Sequence, residues 1–140
     1  MSNNTFRPLF RGYSKEKKGW VEGAYMAHTE ITPNPLGGGP SPIQHLIFKS
    51  GFSDWNMPKP IDMHLVVPES VGVFTGIHDK NGKKVFTGDR TKFNGRECTI
   101  AYYDKMAAFG LLFEDDTWLH FWEMDDLSFP IEITGNVYAP

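Results

Sequence analysis

The chain has 140 residues, of which 40% are hydrophobic and 22% charged, and its formal net charge is −3. This composition excludes extensive disorder, and a chain of this length can bury a core without help from a metal or a disulfide. The longest apolar stretches are too short to span a bilayer, and the N-terminal residues do not form an apolar leader segment. The single cysteine, Cys98, cannot form a disulfide within the chain, which is typical of a reducing compartment. We therefore expect a cytoplasmic protein that does not enter a membrane.

Residues 1–62 predict a β-hairpin region with irregular segments. Apolar residues within 10–26 flank a polar segment, and Gly19 is expected to supply the positive φ that closes this hairpin. Residues 32–42 contain four prolines and three consecutive glycines, which exclude a helix or a central strand. Residues 43–49 form an apolar run of strand length, and a second irregular loop follows them. This region is expected to pack on the core of the remaining chain.

Residues 63–140 predict short strands that are separated by tight turns. Asn81-Gly82 and Asn94-Gly95 accept the left-handed backbone dihedrals that tight hairpins require. Apolar and polar residues alternate along 97–102, which is the period of a half-buried strand. Residues 117–122 are apolar on both faces, so we expect them to form a central strand.

Short strands with a turn about every ten residues indicate a mainly β fold with little helix. We predict one compact unit in which the C-terminal part is a small β-barrel or sandwich, SH3-like in its architecture. The N-terminal hairpin region packs against it, and the boundary between the two regions falls between residues 62 and 63.

Several turn motifs occur in an order that resembles the YopX family. They are Phe10-Arg11-Gly12, Val71-Gly72-Val73-Phe74-Thr75-Gly76, Asp79-Lys80-Asn81-Gly82-Lys83, Gly88-Asp89 and Gly135-Asn136-Val137-Tyr138. Two positions depart from the family pattern, because Arg90-Thr91 replaces two apolar residues and Thr134 replaces an aliphatic one. The resemblance implies a phage or prophage gene and a β-rich fold, and it implies no particular activity.

The residues that carry the resemblance are mostly turn residues, and we interpret them as structural. They are Gly76, Asp79, Asn81, Gly82, Gly88, Asp89, Gly135, Asn136 and Tyr138. Asn81-Gly82 is expected to form a hairpin turn, and Asp89 to accept backbone N–H bonds. Gly135 is expected at a crowded or bulged position of a strand. Such residues specify topology and are poor evidence of catalysis.

No sequence pattern indicates a catalytic, cofactor-binding or metal-binding site. The five histidines lack the spacing of metal ligands, and Cys98 falls on an apolar strand face, where a thiol is expected to be inert. Residues 79–82 differ from a calcium-binding loop because glycine comes at the fourth position and no acid closes the loop. Acidic residues within 114–126 could supply a carboxylate pair, so a small hydrolase is a remote alternative.

A basic segment supports nucleic-acid binding as the main alternative. Residues 79–96 carry a net charge of +4, and Phe93 lies among the cations Lys80, Lys83, Lys84, Arg90, Lys92 and Arg96. Cations that follow phosphates and rings that stack on bases are the usual components of such a surface. The pI of about 5.9 and the net charge of −8 over 97–140 argue against this alternative.

Aromatic residues are more numerous than a small core requires, which favours a protein-binding surface. They include Trp20, Tyr25, Phe52, Trp55, Tyr102, Tyr103, Trp118, Phe121 and Trp122. We expect Trp118, Phe121 and Trp122 in the core, whereas Trp55 suits a lid on the core and a partner contact equally. The leading hypothesis is a non-catalytic accessory module that binds a host or phage protein in the bacterial cytoplasm. A second copy of the chain is a further candidate partner.

Overall fold

A computed structural model describes residues 8–29, 43–50, 60–123 and 131–138. The chain falls into two compact units, Met1–Val71 and Gly72–Pro140, so the boundary predicted at 62 and 63 lies inside the first unit. The described residues form eleven strands and three single-turn 3-10 segments. This confirms the predicted mainly β class. None of the described helical segments has the length and hydropathy that crossing a bilayer would need.

The first unit contains four antiparallel strands in the order β4-β3-β2-β1. They are β1 (Phe10–Ser14), β2 (Gly19–Thr29), β3 (Ile43–Ser50) and β4 (Ile61–Leu65). Val21, Ile47 and Val66 form its buried cluster, because alternate residues of β2 and β3 point to the same side of the sheet. The chain then passes through a 3-10 turn, Pro68–Ser70, whose Ser70 hydroxyl accepts the N–H of Tyr13.

The predicted N-terminal hairpin is present, with Phe10 opposite Gly23 and Ser14 opposite Gly19. The prediction that Gly19 supplies the positive φ is wrong, because Lys18 adopts it with φ 53°. The left-handed position of the turn falls one residue earlier, where an unbranched side chain can point into solvent. The predicted loops at 32–42 and 51–59 lie outside the described residues.

The second unit contains seven strands. They are β5 (Gly72–His78), β6 (Lys84–Phe86), β7 (Asp89–Phe93), β8 (Arg96–Tyr103), β9 (Ala108–Phe113), β10 (Trp118–His120) and β11 (Ile133–Asn136). Strands β5 and β6 form a hairpin, and the other five form an antiparallel sheet in the order β10-β9-β8-β7-β11. The buried side chains at the centre of this unit are Val85, Cys98, Ile100, Leu111, Phe113 and Ile131.

The five-stranded sheet is open, since β10 and β11 lie at its two edges and do not pair with each other in the described part of the chain. Of the two predicted alternatives, a barrel or a sandwich, a closed barrel is therefore not formed, and the SH3-like architecture stays a prediction. The placement of residues 117–122 in a central strand is also wrong. Trp118–His120 is an edge strand of three residues. The indole of Trp118 packs on the ring of Tyr103, so this side of the strand is covered by a ring instead of by a further strand.

Asp79 fastens the hairpin of β5 and β6 to the last strand. Its Oδ1 accepts the backbone N–H groups of Asn81 at 2.9 Å and Lys83 at 2.8 Å, and its Oδ2 accepts that of Ile133 at 3.1 Å. Gly82 has φ 81°, which completes the turn at the predicted position. One buried carboxylate thus joins segments that are 54 residues apart in sequence.

Asp89 makes a second buried junction with the C-terminal residues. Its Oδ2 accepts the N–H of Phe86 at 2.9 Å, and its Oδ1 accepts Asn136 Nδ2 at 3.2 Å. Asn136 Oδ1 in turn accepts the N–H of Tyr138 at 2.8 Å, and the carbonyl of Gly88 accepts that of Val137. The motif residues near 88 and 136 therefore belong to a single hydrogen-bonded network.

The two remaining motif glycines lie at irregular positions of their strands. The register of β11 against β7 shifts between Ile133 and Gly135, as expected of a bulge. Gly76, with φ 88°, lies where the register of β5 against β6 shifts. Because a side chain is strained at such a φ, glycine is favoured at this position for a backbone reason.

The surroundings of Asp79 predict an acid-dependent loss of stability. Burial raises the pKa of this carboxyl, but the three backbone donors and the charge of Lys83 outweigh burial and hold the pKa below its ordinary value of 3.8. A depressed folded-state pKa adds stability above 3.8 that is lost as the pH falls through the folded-state value. We expect the difference in unfolding free energy between the wild type and Asp79→Ala to shrink as the pH falls from 5 to 2. Urea unfolding at a series of pH values measures it, and a constant difference would contradict this assignment.

Candidate binding surface

The outer face of β8, β9 and β10 is built on small residues. Ala101 lies opposite Gly110, and Gly110 lies opposite His120 on the other side. A Cβ atom on Gly110 would lie 2.4 Å from the carbonyl oxygen of Leu119 and 2.8 Å from the indole of Trp118. Real Cβ atoms do not approach other atoms so closely. Gly110 therefore provides the space in which the indole of Trp118 lies against the sheet.

Four aromatic rings lie over these small residues. They are Tyr103, Trp118, His120 and Trp122, and we name them the aromatic platform. The ring centroids of Tyr103 and Trp118 are 5.2 Å apart, and those of Trp118 and His120 are 5.6 Å apart in an edge-on arrangement. His120 and Trp122 stack at 3.9 Å with an interplanar angle of 8°. These separations lie near the range in which aromatic pairs attract each other, so the rings support one another.

Hydrogen bonds fix the orientation of the platform. Trp118 Nε1 donates to His120 Nδ1 at 2.8 Å, which makes Nδ1 the acceptor nitrogen of the imidazole. The backbone N–H of His120 donates to Glu123 Oε2 at 3.0 Å and so begins the 3-10 turn Phe121–Glu123. This turn presents Trp122 outward with 59% of its surface exposed. The platform is thus an ordered aromatic surface that faces solvent.

A cavity of about 260 Å³ lies on the same unit beside the platform. Thr99 and Leu112 line this cavity. Thr99 of β8 lies opposite Leu112 of β9, and Leu112 in turn lies opposite Trp118 of β10. Arg90, Glu114 and Thr134 add polar groups to its wall. The wall of the cavity is mainly polar, so hydrogen-bonding groups lie beside the rings of the platform, and an apolar contact area next to polar groups is the usual composition of a binding surface.

The platform lies in an acidic part of the chain. Residues 114–126 contain six acidic residues and no lysine or arginine. Thr117 donates its hydroxyl and its N–H to Asp115, and these bonds hold the pKa of the Asp115 carboxyl below its ordinary value. Asp115 therefore remains a carboxylate at neutral pH, as its ion pair with Arg96 requires.

The predicted basic residues do not form one face. Lys80 pairs with Glu132 at 3.2 Å, and Arg96 pairs with Asp115 at 2.8 Å while it lies 4.3 Å above the ring of Phe113. The remaining cations of that prediction are exposed and lie on two different elements: Lys83 and Lys84 on the β5–β6 hairpin, and Arg90 and Lys92 on β7.

Within the five-stranded sheet the cations also point in different directions. Arg90 and Lys92 alternate with buried residues of β7 and lie on its exposed face, where Lys92 is opposite Glu97. Arg96 is opposite Phe93 and therefore lies on the other face of the same sheet. The structure does not bring the six predicted cations into a single phosphate-binding surface.

The aromatic predictions have mixed outcomes. Phe93 is half-buried and packs against the core, so it does not present a ring for stacking. Phe121 packs on the core as expected, whereas Trp122 is exposed, and the expectation that it is a core residue is wrong. Trp55 lies outside the described residues. His120 was not identified from the sequence, although a ring two residues from Trp118 on a strand must share its face.

Two kinds of reactive group can be checked directly in the described residues, a metal-ligand cluster and an activated thiol. No three side chains of His, Cys, Asp or Glu group as metal ligands within 8–29, 43–50, 60–123 and 131–138. Cys98 is buried, its thiol donates to the carbonyl of Thr91 at 3.6 Å, and burial raises the pKa of that thiol. A thiol in this state is a poor nucleophile.

The described residues define a small antiparallel β protein that carries three half-buried rings and one exposed ring in mutual contact. Comparison with known families assigns it more closely. The family model described as YopX protein matches residues 9–140, so the chain belongs to the YopX family. No curated protein sequence matches the chain.

Proposed function

We propose that this protein is a non-catalytic binding module that recognises a protein partner through the aromatic platform. The observation that supports the proposal is the exposure of Trp122, whose ring stacks on His120 at 3.9 Å. Tryptophan is enriched among the residues that contribute most to protein–protein affinity. A ring that is already held in place loses little conformational freedom on binding, so more of its contact energy appears as affinity.

Charge favours a protein over a nucleic acid at this surface. The acidic residues of 114–126 surround the platform in sequence, and Glu123 lies directly after Trp122. A phosphate backbone would meet like charge here, whereas nucleic-acid affinity depends mainly on cations that neutralise phosphates. The complementary partner is a protein that presents an apolar pocket bordered by lysine or arginine.

Nucleic-acid binding remains the second candidate, since flat rings on the open face of a sheet can stack with bases. Arg90 and Lys92 are exposed on the outward face of β7 in the same unit. The two candidates differ in their dependence on salt. Phosphate contacts give an affinity that falls steeply with salt concentration, whereas an apolar anchor gives a shallow dependence.

The proposal also includes a place of action. We propose that the chain acts in the bacterial cytoplasm as a phage or prophage accessory protein. The family assignment supports the origin, and the buried unpaired thiol of Cys98 is consistent with a reducing compartment.

Replacement of Trp122 tests the proposal directly. We expect Trp122→Ala to weaken binding to the partner about 30-fold, as is typical for removal of a central tryptophan. The partner is first captured from bacterial lysate with the wild-type chain, and its affinity for each variant is then measured by calorimetry. Tyr102→Ala is the matched control, because Tyr102 is 51% exposed but lies on the opposite face of β8 from Tyr103.

Two results would count against the proposal. Equal capture by the wild type and Trp122→Ala would show that the platform is not the contact surface. Binding of single- or double-stranded oligonucleotides at low salt that Trp122→Ala abolishes would replace the protein partner with a nucleic acid.

A further inference from the structure

Strand β4 is an edge strand of the first unit, and no described strand pairs with its outer side. The N–H of Val66 donates to the carbonyl of His45 at 2.9 Å, which fixes the hydrogen-bonding phase of β3 against β4. Because hydrogen-bonded and non-hydrogen-bonded pairs alternate in an antiparallel ladder, the N–H and C=O groups of Ile61, Met63 and Leu65 point away from β3. The edge therefore presents a regular row of backbone donors and acceptors.

The side chains of this edge are unusual for a strand that stays alone. Ile61, Met63 and Leu65 share one face of β4, and they are 75%, 61% and 54% exposed. Edge strands are normally protected from further pairing by lysine, proline or a bulge. Pro60 directly precedes the strand, but Ile61–Leu65 itself contains none of these features, and its polar residues are Asp62 and His64.

We propose that β4 pairs antiparallel with β4 of a second copy of this chain, with a twofold axis at Met63. In this register Met63 lies opposite Met63 of the second copy, and Ile61 lies opposite Leu65. These are the residues whose backbone groups point outward, so every outward N–H and C=O of the three finds a partner. The apolar side chains of the two copies then form one continuous row.

Complementary hydrogen-bonding groups select this register. From Ile61 to Leu65 the apolar residues alternate with Asp62 and His64, so the twofold axis creates two contacts in which the carboxylate of one copy lies opposite the imidazole of the other. These two residues occupy non-hydrogen-bonded positions, in which opposite side chains approach most closely. A register centred on Asp62 would instead oppose two carboxylates, and one centred on His64 would oppose two imidazoles.

His64 has capacity for such a contact. Its Nε2 is buried in the single chain and makes no hydrogen bond to another residue of the described ranges. An imidazole with an unused nitrogen can reorient to place a donor toward a carboxylate on a neighbouring strand. Asp62 is exposed and belongs to the same edge strand, with Lys49 of β3 opposite it on the inner side. The pattern is self-complementary about Met63. This favours a second copy as the partner, because an unrelated peptide could bind this edge without such a symmetric pattern.

Cysteine cross-linking tests both the pairing and its register. A residue on the twofold axis in a hydrogen-bonded pair has a Cα–Cα separation of about 5.5 Å, which permits a disulfide. We expect Met63→Cys to form covalent dimers under mild oxidation at least about tenfold faster than Ile61→Cys. Ile61 is the more exposed residue but faces Leu65, so its own copies are too far apart. The native Cys98 is buried, and the wild type gives the background.

Sedimentation analysis of the full chain provides a second measurement. We expect a concentration-dependent dimer for the wild type and a dimerisation constant about tenfold weaker for Asp62→Lys, since both contacts lose the carboxylate that accepts a hydrogen bond from His64 of the other copy. Met26→Ala is the control, because Met26 is exposed on β2, away from the edge. A monomer at every concentration, equal cross-linking of the two cysteine variants, or a dimer unaffected by Asp62→Lys would each overturn the proposal.

Discussion

Replacement of Asp89 by alanine is expected to destabilise the second unit by about 3 kcal/mol. The side chain is 1% exposed and accepts bonds from the N–H of Phe86 and from Asn136 Nδ2. Alanine would remove the carboxylate that accepts both bonds, and each buried donor that loses its bond costs about 1–3 kcal/mol. Urea unfolding measures the loss, and amide exchange at Phe86 shows whether the turn between β6 and β7 opens.

Two further variants show whether the loss of stability in Asp89→Ala comes from the buried hydrogen bonds. Asp89→Asn keeps the shape but turns an amide NH2 toward one of the two donors, so we expect it to be nearly as damaging as alanine. Asp104→Ala removes an exposed carboxylate of the same unit, and we expect a change within about 0.5 kcal/mol. A small effect of Asp89→Ala, equal to that of Asp104→Ala, would show that the buried network contributes little.

Gly110→Ala is expected to destabilise the protein by about 2–3 kcal/mol and to disorder the aromatic platform. The added methyl would lie 2.4 Å from the backbone carbonyl of Leu119, which cannot move without shifting β10. The same methyl would lift the indole of Trp118 from the sheet and disturb its bond to His120. Thermal unfolding gives the stability, and near-ultraviolet circular dichroism reports the packing of the tryptophans.

Gly19→Ala is the matched control for Gly110→Ala. Its Cβ would meet only the carbonyl oxygen of Lys17 at 3.9 Å, an ordinary contact, and we expect a change within about 0.5 kcal/mol. An intact dichroism signal together with wild-type stability in Gly110→Ala would show that β10 is free to move. The platform would then be less rigid than its hydrogen bonds indicate.

Local turn chemistry was the part of the fold that the sequence could predict. Asn81-Gly82 and Asn94-Gly95 require left-handed dihedrals, and Gly82, Asn94 and Gly95 all adopt positive φ. The mainly β class followed from strand-length patterns between such turns. The position of Lys18 shows the limit, because a turn can tolerate a non-glycine residue when its side chain reaches solvent.

The order of strands could not be predicted in the same way. Residues 117–122 are apolar on both faces, and that pattern normally indicates a buried central strand. In the structure Trp118 and His120 cover the small residues Ala101 and Gly110 of neighbouring strands, so the second apolar face is satisfied at an edge. This requires knowledge of which residues are cross-strand neighbours, and that knowledge depends on register.

The candidate site was missed for a related reason. Six cations within 79–96 suggested a basic surface, but Lys80 and Arg96 pair with Glu132 and Asp115, which lie far along the chain. Sequence proximity of like charges therefore said little about the surface potential. The rings of the aromatic platform were recognised only as an excess of aromatic residues, without the small residues that arrange them.

The junction of Asp89 with Asn136 has a consequence for how the chain is synthesised. The acceptor lies in β7, whereas its donor lies 47 residues later, in the last described strand. The ribosome must release nearly the whole of the second unit before this carboxylate gains its full set of partners. Until then the Asp89 carboxylate lacks the partner from β11, although it is buried in the folded protein. Residues 133–136 are thus synthesised after the other strands of this unit and are a required part of its interior.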